Sequence, residues 1–371
     1  MQPGVAVIGG GLAGLVSAIC LSRKGIPCTV FEKRTYPFHR VCGEYVSNET
    51  RPFLQSAGLF PEAYQPPNIH RFQLSAVNGR QAFLPLDLGG FGISRFAFDH
   101  FLAQKAREAG AVLLEGCEVQ QITFTGNGFT LTTPSGTYTA GVVIGAYGKR
   151  ARLDVTLGRP FLARRSPYVG VKYHIQTDFP ADLIALHNFE GGYCGISRVE
   201  NGVTNLCYLT HRQVLRTHGS IEALEQEVLC KNPFLKEIFS QSVFLFRKPE
   251  TINEISFSNR EPVFNHVLMV GDTAGLITPL CGNGMAMAIR AAKLVSDLIV
   301  RCVTENKSRT WLENAYAQQW KKLFARRLWY GRMVQHYLFG SAHTSQMAVQ
   351  LALRFSPLAR LMVRLSHGQP F

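Results

Sequence analysis

Three groups of residues have the types and spacing for chemistry. Gly9, Gly11 and Gly14 satisfy G-x-G-x-x-G. Such glycines give a tight turn, let a pyrophosphate approach the backbone and let the following helix pack closely, and the helix start attracts the phosphate charge. Glu32, followed by Lys33, stands where an acid accepts both hydroxyls of an adenosine ribose. Arg40-Val41-Cys42-Gly43-Glu44 places a cation, a thiol and a carboxylate around one glycine. That stretch lines a cavity beside a cofactor, or else is a surface loop with a buried Cys. Residues 268–292 read LMVGDTAGLITPLCGNGMAMAIRAA. There Gly271 and Asp272 follow an apolar run, and Cys281, Gly282, Asn283, Gly284 and Met285 lead into helical spacing. A helix starting at Gly282 to Gly284 turns free N–H groups toward an electron-rich partner.

These residues need elements to hold them. Val5-Ala6-Val7-Ile8 reads as a buried strand, Leu12, Leu15, Val16 and Ile19 follow helical spacing, and Cys28 to Phe31 form a second strand ending at Glu32. Residues 91–114 read as strand, helix and strand, with Phe98, Phe101, Leu102 and Ala106 on one helix face. Turns at Gly126-Asn127-Gly128 and Pro134-Ser135-Gly136 mark an antiparallel hairpin or meander, after which residues 142–146 return to the first sheet. Residues 160–260 alternate polar and apolar positions and read as a mostly antiparallel sheet, one wall of a substrate cavity, to which residues 52–95 contribute. Met285, Ala288, Ile289, Ala292, Val295 and Leu298 give a helix with a small-residue face. Trp311, Trp320 and Trp329 lie in a basic helical region, which packs its aromatic side on the body or docks on a membrane or an acidic carrier.

Composition bounds the function. At 371 residues, with 46% hydrophobic and 17% charged residues, the chain is a globular protein large enough for two domains. Lys and Arg number 39 against 25 acids, a formal +14 that attracts phosphates, anionic cofactors, acidic carriers or membrane surfaces. The nine Cys form no C-x-x-C pair, which argues against structural zinc and a disulfide framework and fits reduced thiols in the cytoplasm. Residues 5–22 carry no charge, yet their four glycines and the absence of a basic flank set aside a membrane span or a signal sequence. No metal site and no nucleic-acid partner are expected.

In order and spacing, GGGLAG with Glu32, ISRFAFDHFL, VVIGAYGKRARL and GDTAGLITPLCGNGMAMAI resemble the FAD-dependent oxidoreductases that include aromatic hydroxylases, flavin halogenases and geranylgeranyl reductases. The likeness covers about residues 4–300. RVCGEYVS looks most like the Cys-Gly segment of the geranylgeranyl reductases. The resemblance implies an α/β fold: a Rossmann-like FAD-binding domain (1–70, 95–160 and 260–300), an interleaved mostly antiparallel substrate domain (71–94 and 161–259) and a C-terminal helical region (301–371). It implies that Gly9, Gly11, Gly14 and Glu32 hold the ADP half of FAD. Arg40 and Arg95 then lie near the phosphates and ribityl chain, Asp272 binds the ribityl or pyrophosphate region, and Cys42 and Cys281 approach the flavin ring.

Three positions depart from the family pattern. Tyr147-Gly148 stands where an Asp-Gly is usual, the reductases' Y-x-W-x-F-P appears only as Tyr193-Cys194-Gly195-Ile196-Ser197, and all three Trp follow position 310, so the halogenases' W-x-W-x-I-P is missing. No second G-x-G-x-x-G follows a strand, so reducing equivalents are expected from transiently bound NAD(P)H, a ferredoxin-like donor protein or free reduced flavin. The first expectation is reduction or dehydrogenation, through flavin N5, of a carbon–carbon bond in a hydrophobic, prenyl, polyketide or carrier-bound substrate. Cys42, Glu44, Tyr193 and His187 are its candidates for the proton role. A monooxygenase and a non-catalytic flavin redox protein are the alternatives. A cytoplasmic location is expected, with peripheral membrane contact left open.

Overall fold

The computed structural model describes residues 4–149, 151–163, 166–338 and 341–371. The chain opens with β1 (Val5–Ile8), α1 (Leu12–Ser22) and β2 (Cys28–Glu32). It crosses to a second sheet for β3 (Tyr45–Ser47), passes α2 (Arg51–Ser56), β4 (Asn68–Ser75) and β5 (Gln81–Gly92), and returns through α3 (Arg95–Glu108) to β6 (Val112–Glu115). A meander of β7 (Gln121–Phe124), β8 (Phe129–Thr133) and β9 (Gly136–Ala140) precedes β10 (Val142–Gly145). Beyond α4 (Arg152–Thr156) come β11 (Tyr168–Gln176), β12 (Leu183–Phe189), β13 (Gly192–Arg198) and β14 (Thr204–His211). Next are α5 (Arg212–His218), α6 (Ile221–Glu227), α7 (Pro233–Gln241), β15 (Val243–Phe244) and β16 (Glu250–Asn253). β17 (Val263–Phe264) and β18 (Val267–Met269) lead to α8 (Gly284–Thr304), α9 (Arg309–Leu338), α10 (Ala342–Arg354) and α11 (Ser356–Ser366).

Six strands in the order β17-β18-β10-β1-β2-β6 form the first sheet, parallel except at the β17 edge. β1, β10 and β18 are buried along their whole length, which is why they read as unbroken apolar runs: both faces of a parallel sheet are covered. Small residues let α1 and α8 approach closely, and Ser296 Oγ donates to the Ser17 carbonyl between them. β1 lies between β2 and β10, so the chain order reverses beside it, the place where sheets of this kind bind ligands. Ser94 caps α3, its Oγ accepting from Ala97 N at 3.0 Å.

The second sheet runs β15-β11-β14-β13-β12-β4-β5-β3, with β16 also on β11, and is antiparallel but for β12 beside β4. Strand alternation gives it two unlike faces. Val171, Tyr173, Ile175, Cys194, Ile196, Leu206 and Tyr208 pack on Leu224, Leu229 and Leu235 of the helical segment behind. Lys172, His174, Tyr193, Ser197 and Asn205 project from the other face toward the loops of the first sheet.

Residues 212–241 correct the sequence reading, since the segment expected to be strand is three helices. Their caps explain it: Ser220 Oγ accepts from Ala223 N at 3.1 Å, and Asn232 Oδ1 accepts from Phe234 N at 3.0 Å with Pro233 in the first helical position. Among the alternatives for the tryptophan region, α9 does pack on the body. Leu312, Tyr316, Trp320, Phe324 and Leu328 recur every four residues and are buried, and Tyr316 donates to the Met269 carbonyl of β18.

Candidate functional site

The glycine motif is shaped as its chemistry requires. Gly9 has φ +103°, and a Cβ there would run into the Ala146 carbonyl of the neighbouring strand end. A Cβ on Gly14 would strike the Gly9 carbonyl, so that glycine holds helix to strand. Gly11 differs, because its Cβ would meet only Arg95 Nη2, at 3.2 Å. The backbone is open there, and no side chain caps the start of α1. A phosphate fits that cradle.

Glu32 closes the adenosine end. It is buried, its Oε2 accepting from Gly10 N at 2.8 Å and its Oε1 from Arg34 N at 3.0 Å. Arg40 reaches it at 3.1 Å and also meets Asp99 at 3.1 Å. Arg95, one turn before Asp99 on α3, grips the same carboxylate through two bonds of 2.7 Å. Asp99 thus gathers both expected cations on one carboxylate, and Arg95 reaches Gly11. It was missed in the sequence, although its spacing four residues after Arg95 is a readable signal. Lys33 is exposed beyond β2 and is not brought into this group.

Asp272 sits in a short turn beside the α1 start, where a Cβ on Gly271 would touch Ala13 Cβ at 3.2 Å. Buried cations tie the turn down. Arg260 donates to the Asp272 carbonyl at 2.9 Å and to the Lys149 carbonyl at 2.6 Å, and Arg159 donates to the Thr273 carbonyl at 2.9 Å. Burial pulls the Arg260 guanidinium down to about 10. These bonds fix the Asp272 backbone beside the α1 start, and its side chain is half-buried there. Farther on, Asn283 precedes α8 without capping it, which leaves the first N–H groups of a 21-residue helix for a ligand. Asn283 Nδ2 donates to the Ser366 carbonyl at 2.8 Å, while its buried Oδ1 has no partner among the described residues. The Met285 side chain packs into the core.

The Cys42 loop bridges the two sheets. Val41 O accepts from Lys149 Nζ at 3.4 Å, Cys42 O from Asn205 Nδ2 at 3.2 Å and Gly43 O from Ser197 Oγ at 3.5 Å. Cys42 itself is half-buried and near enough to Arg95 and Cys207 to act on them electrostatically.

Four further candidates for chemistry are each held in other contacts. Glu44 is wholly buried with φ +54° and accepts from Lys172 Nζ at 2.5 Å, His174 Nε2 at 2.7 Å and Arg95 N at 2.7 Å. Burial pushes its carboxyl up, but Lys172 and His174 outweigh that and hold it down at about 2. Its carboxylate is taken up by these three donors. Tyr193 accepts from Leu280 N at 3.0 Å and meets Gln335 Oε1 at 3.1 Å; burial keeps its hydroxyl protonated, and it staples the second sheet to the loop before Cys281. His187 points to the other face of that sheet, bonded to Ser75 Oγ at 2.8 Å and stacked on Phe234, and burial lowers it to about 3. Cys281 is buried with its sulfur 3.4 Å from Thr278 Oγ1 and faces Gly331 of α9, and burial raises its thiol to about 11. It is inert there. Lys172 and His174 were missed because nothing local links them to Glu44.

The residues at Gly11, Glu32, Asp272 and the start of α8 fit a flavin dinucleotide. Residues 3–327 match the family model described as FAD binding domain. Digeranylgeranylglycerophospholipid reductase 2 of Methanopyrus kandleri is 23% identical over 348 residues, covering 88% of this chain and 84% of its own. The fold resembles the flavin-dependent brominase Bmp2 (TM-score 0.79, 16% identity, 98% of this chain and 92% of that one). It also resembles a geranylgeranyl bacteriochlorophyll reductase-like protein of Thermoplasma acidophilum (TM-score 0.78, 18% identity, 100% and 97%). With that match running through most of the chain and a nucleotide cradle to receive the cofactor, this protein belongs to the FAD binding domain family and is an FAD-dependent oxidoreductase.

Proposed function

We propose that the chain reduces, or in reverse dehydrogenates, a carbon–carbon bond of a hydrophobic substrate held between the nucleotide cradle and the second sheet. The observation that carries this is the Cys42 loop, clamped by Asn205, Ser197 and Lys149 so that one half-buried thiol stands between Arg95 and the sheet face. Gly9, Gly11, Gly14, Glu32 and Arg95 would hold the ADP half of the cofactor, Asp272 its hydroxylated chain and the α8 start its electron-rich ring edge. When bound, FAD supplies two-electron transfer.

The protein's own residues supply position and a proton. Glu44, Tyr193, His187 and Cys281 are each committed elsewhere, so Cys42 is the group we assign to deliver a proton to the substrate carbon. Gly195 leaves room in the sheet face where a reductase of this kind carries Trp, since its Cβ would meet only Cys207 O, at 3.6 Å. A bulky apolar substrate fits such a floor. The name of the Methanopyrus kandleri relative, a lipid reductase, supports the same substrate class.

The test is anaerobic. The FAD-loaded chain, reduced with NADPH or dithionite under argon, is mixed with a panel of unsaturated prenyl lipids and polyketide-like compounds. Return of the oxidised flavin absorbance on adding one of them, without oxygen, supports the reading. Reoxidation by oxygen alone, with every compound inert under argon, refutes it.

A further inference from the structure

α11 has three faces where a helix docked on a protein surface has two. Ala359 and Ser366 are buried against the body, with Met362 and Val363 half-buried beside them. A second stripe, Leu358, Leu361 and Leu365 at i, i+3 and i+7, continues from Phe355 and faces solvent; these four residues are between 37% and 59% exposed. Arg360 and Arg364 occupy the third face, and Arg354 ends the preceding helix. α9 adds a parallel feature: Trp329, Met333 and Tyr337, at i, i+4 and i+8, are also exposed. The two helices run past one another in opposite directions, since Tyr330 donates to the Met362 carbonyl at 3.0 Å while Arg327 lies against Gly368.

Charge selects the occupant. After Glu313 the sequence has no Asp or Glu, but it has Lys321, Lys322, Arg326, Arg327, Arg332, Arg354, Arg360 and Arg364. Arg327 turns inward to buried Glu49 and Asp87 of β5 lies beside Arg364, but Arg360 and Arg364 flank the apolar stripe. Such a stripe with arginines matches an anionic lipid surface, where leucines enter the acyl boundary and guanidinium groups meet phosphates. A second copy of this chain would bring its own arginines to the contact, and like charges oppose that pairing. No helix of the described residues is long and apolar enough to cross a membrane, so the contact is a surface one. A cavity of about 410 Å³ opens beside α11, between Leu86 and Leu88 of β5 and Val363, Arg364 and His367. His367 in turn packs against Tyr45, whose ring borders Gly282.

We infer that α11, with the exposed end of α9, is a docking surface for anionic phospholipid bilayers, laying the protein on the membrane beside that cavity. The FAD-loaded chain is sedimented with vesicles of phosphatidylglycerol and phosphatidylcholine in equal parts, and with pure phosphatidylcholine. Leu361→Ser/Leu365→Ser and Arg360→Ala/Arg364→Ala are compared after checking that flavin content and melting temperature match the parent chain. The parent chain is expected to pellet with the anionic vesicles, less so at high salt. Each leucine removed from an apolar phase weakens transfer by about tenfold or more, so the leucine pair should release the protein. Failure of the parent chain to bind either vesicle overturns the inference, as does equal binding by the folded variants. A sizing column showing a dimer that only the leucine variant dissociates, with no vesicle binding, assigns the face to a second copy instead.

Discussion

Replacing Glu44 with Gln removes one charge from a buried group of three. Lys172 Nζ, itself unexposed, then loses its only anionic partner among the described residues, at 2.5 Å. Removing one member of a buried pair costs about 3–5 kcal/mol, because the other charge stays behind without water. The carboxyl's own displacement gives a similar figure: from 4.5 to about 2 corresponds to roughly 3 kcal/mol of preference for the charged form in the folded state. The sign follows from linkage. A depressed carboxyl contributes fully above its unfolded value near 4.5, and the contribution fades as pH falls toward 2. Glu44→Gln should therefore melt several degrees below the parent chain at pH 7, and the gap should narrow as pH falls below about 4.5. Glu44→Gln/Lys172→Met should recover much of the loss, since it leaves no orphan charge. Melting curves from pH 3 to 8 for the parent chain, both single variants and the double variant measure it. A loss under about 1 kcal/mol at pH 7, or additive single losses, would refute the assignment of Glu44 as a charge held by Lys172 and His174.

Other outcomes follow from the same geometry. Gly11→Ala should leave the melting temperature of the flavin-free chain almost unchanged but weaken FAD binding by about tenfold or more, whereas Gly14→Ala should unfold the chain, as circular dichroism and flavin titration would show. Cys42→Ala should lower kcat by about a hundredfold with flavin content intact, and Cys42→Ser should keep part of the rate; an unchanged kcat removes Cys42 from the proton role. His187→Gln should change stability but not kcat, because the ring faces away from the cofactor side. Glu225 behaves oppositely to Glu44. Burial raises it to about 7 despite bonds from Tyr208 and Tyr173, so stability is lost as pH rises from about 4.5 through 7, and Glu225→Gln should be the more stable protein at pH 8 but not at pH 4.

What was readable in the sequence was what the backbone enforces locally. Gly9 and Gly14 carry steric requirements that only glycine meets, Gly11 leaves an open backbone between them, and the flanking strands are unbroken apolar runs. Side-chain roles were less readable. His187 and Tyr193 sit only six residues apart, yet strand parity sends them to opposite faces, and parity does not announce which face meets the cofactor. Glu44 looked like a free acid because its partners come from β11, more than a hundred residues on. Cys281, expected beside the flavin ring, is covered by α9, which follows later in the chain. The helices at 212–241 were readable and overlooked: Ser220 and Asn232-Pro233 are helix starts, but the apolar alternation around them drew the reading toward strand.

Reaction type is decided most directly by the mass of the product. The reduced, FAD-loaded chain is incubated under argon with an unsaturated hydrophobic substrate that restores the flavin absorbance, and the product is weighed by mass spectrometry against a parallel sample under labelled oxygen. The expected product gains two hydrogen atoms and no oxygen in both samples. Product that forms only when oxygen is admitted, and that carries the label, would contradict carbon–carbon bond reduction and make the protein a monooxygenase.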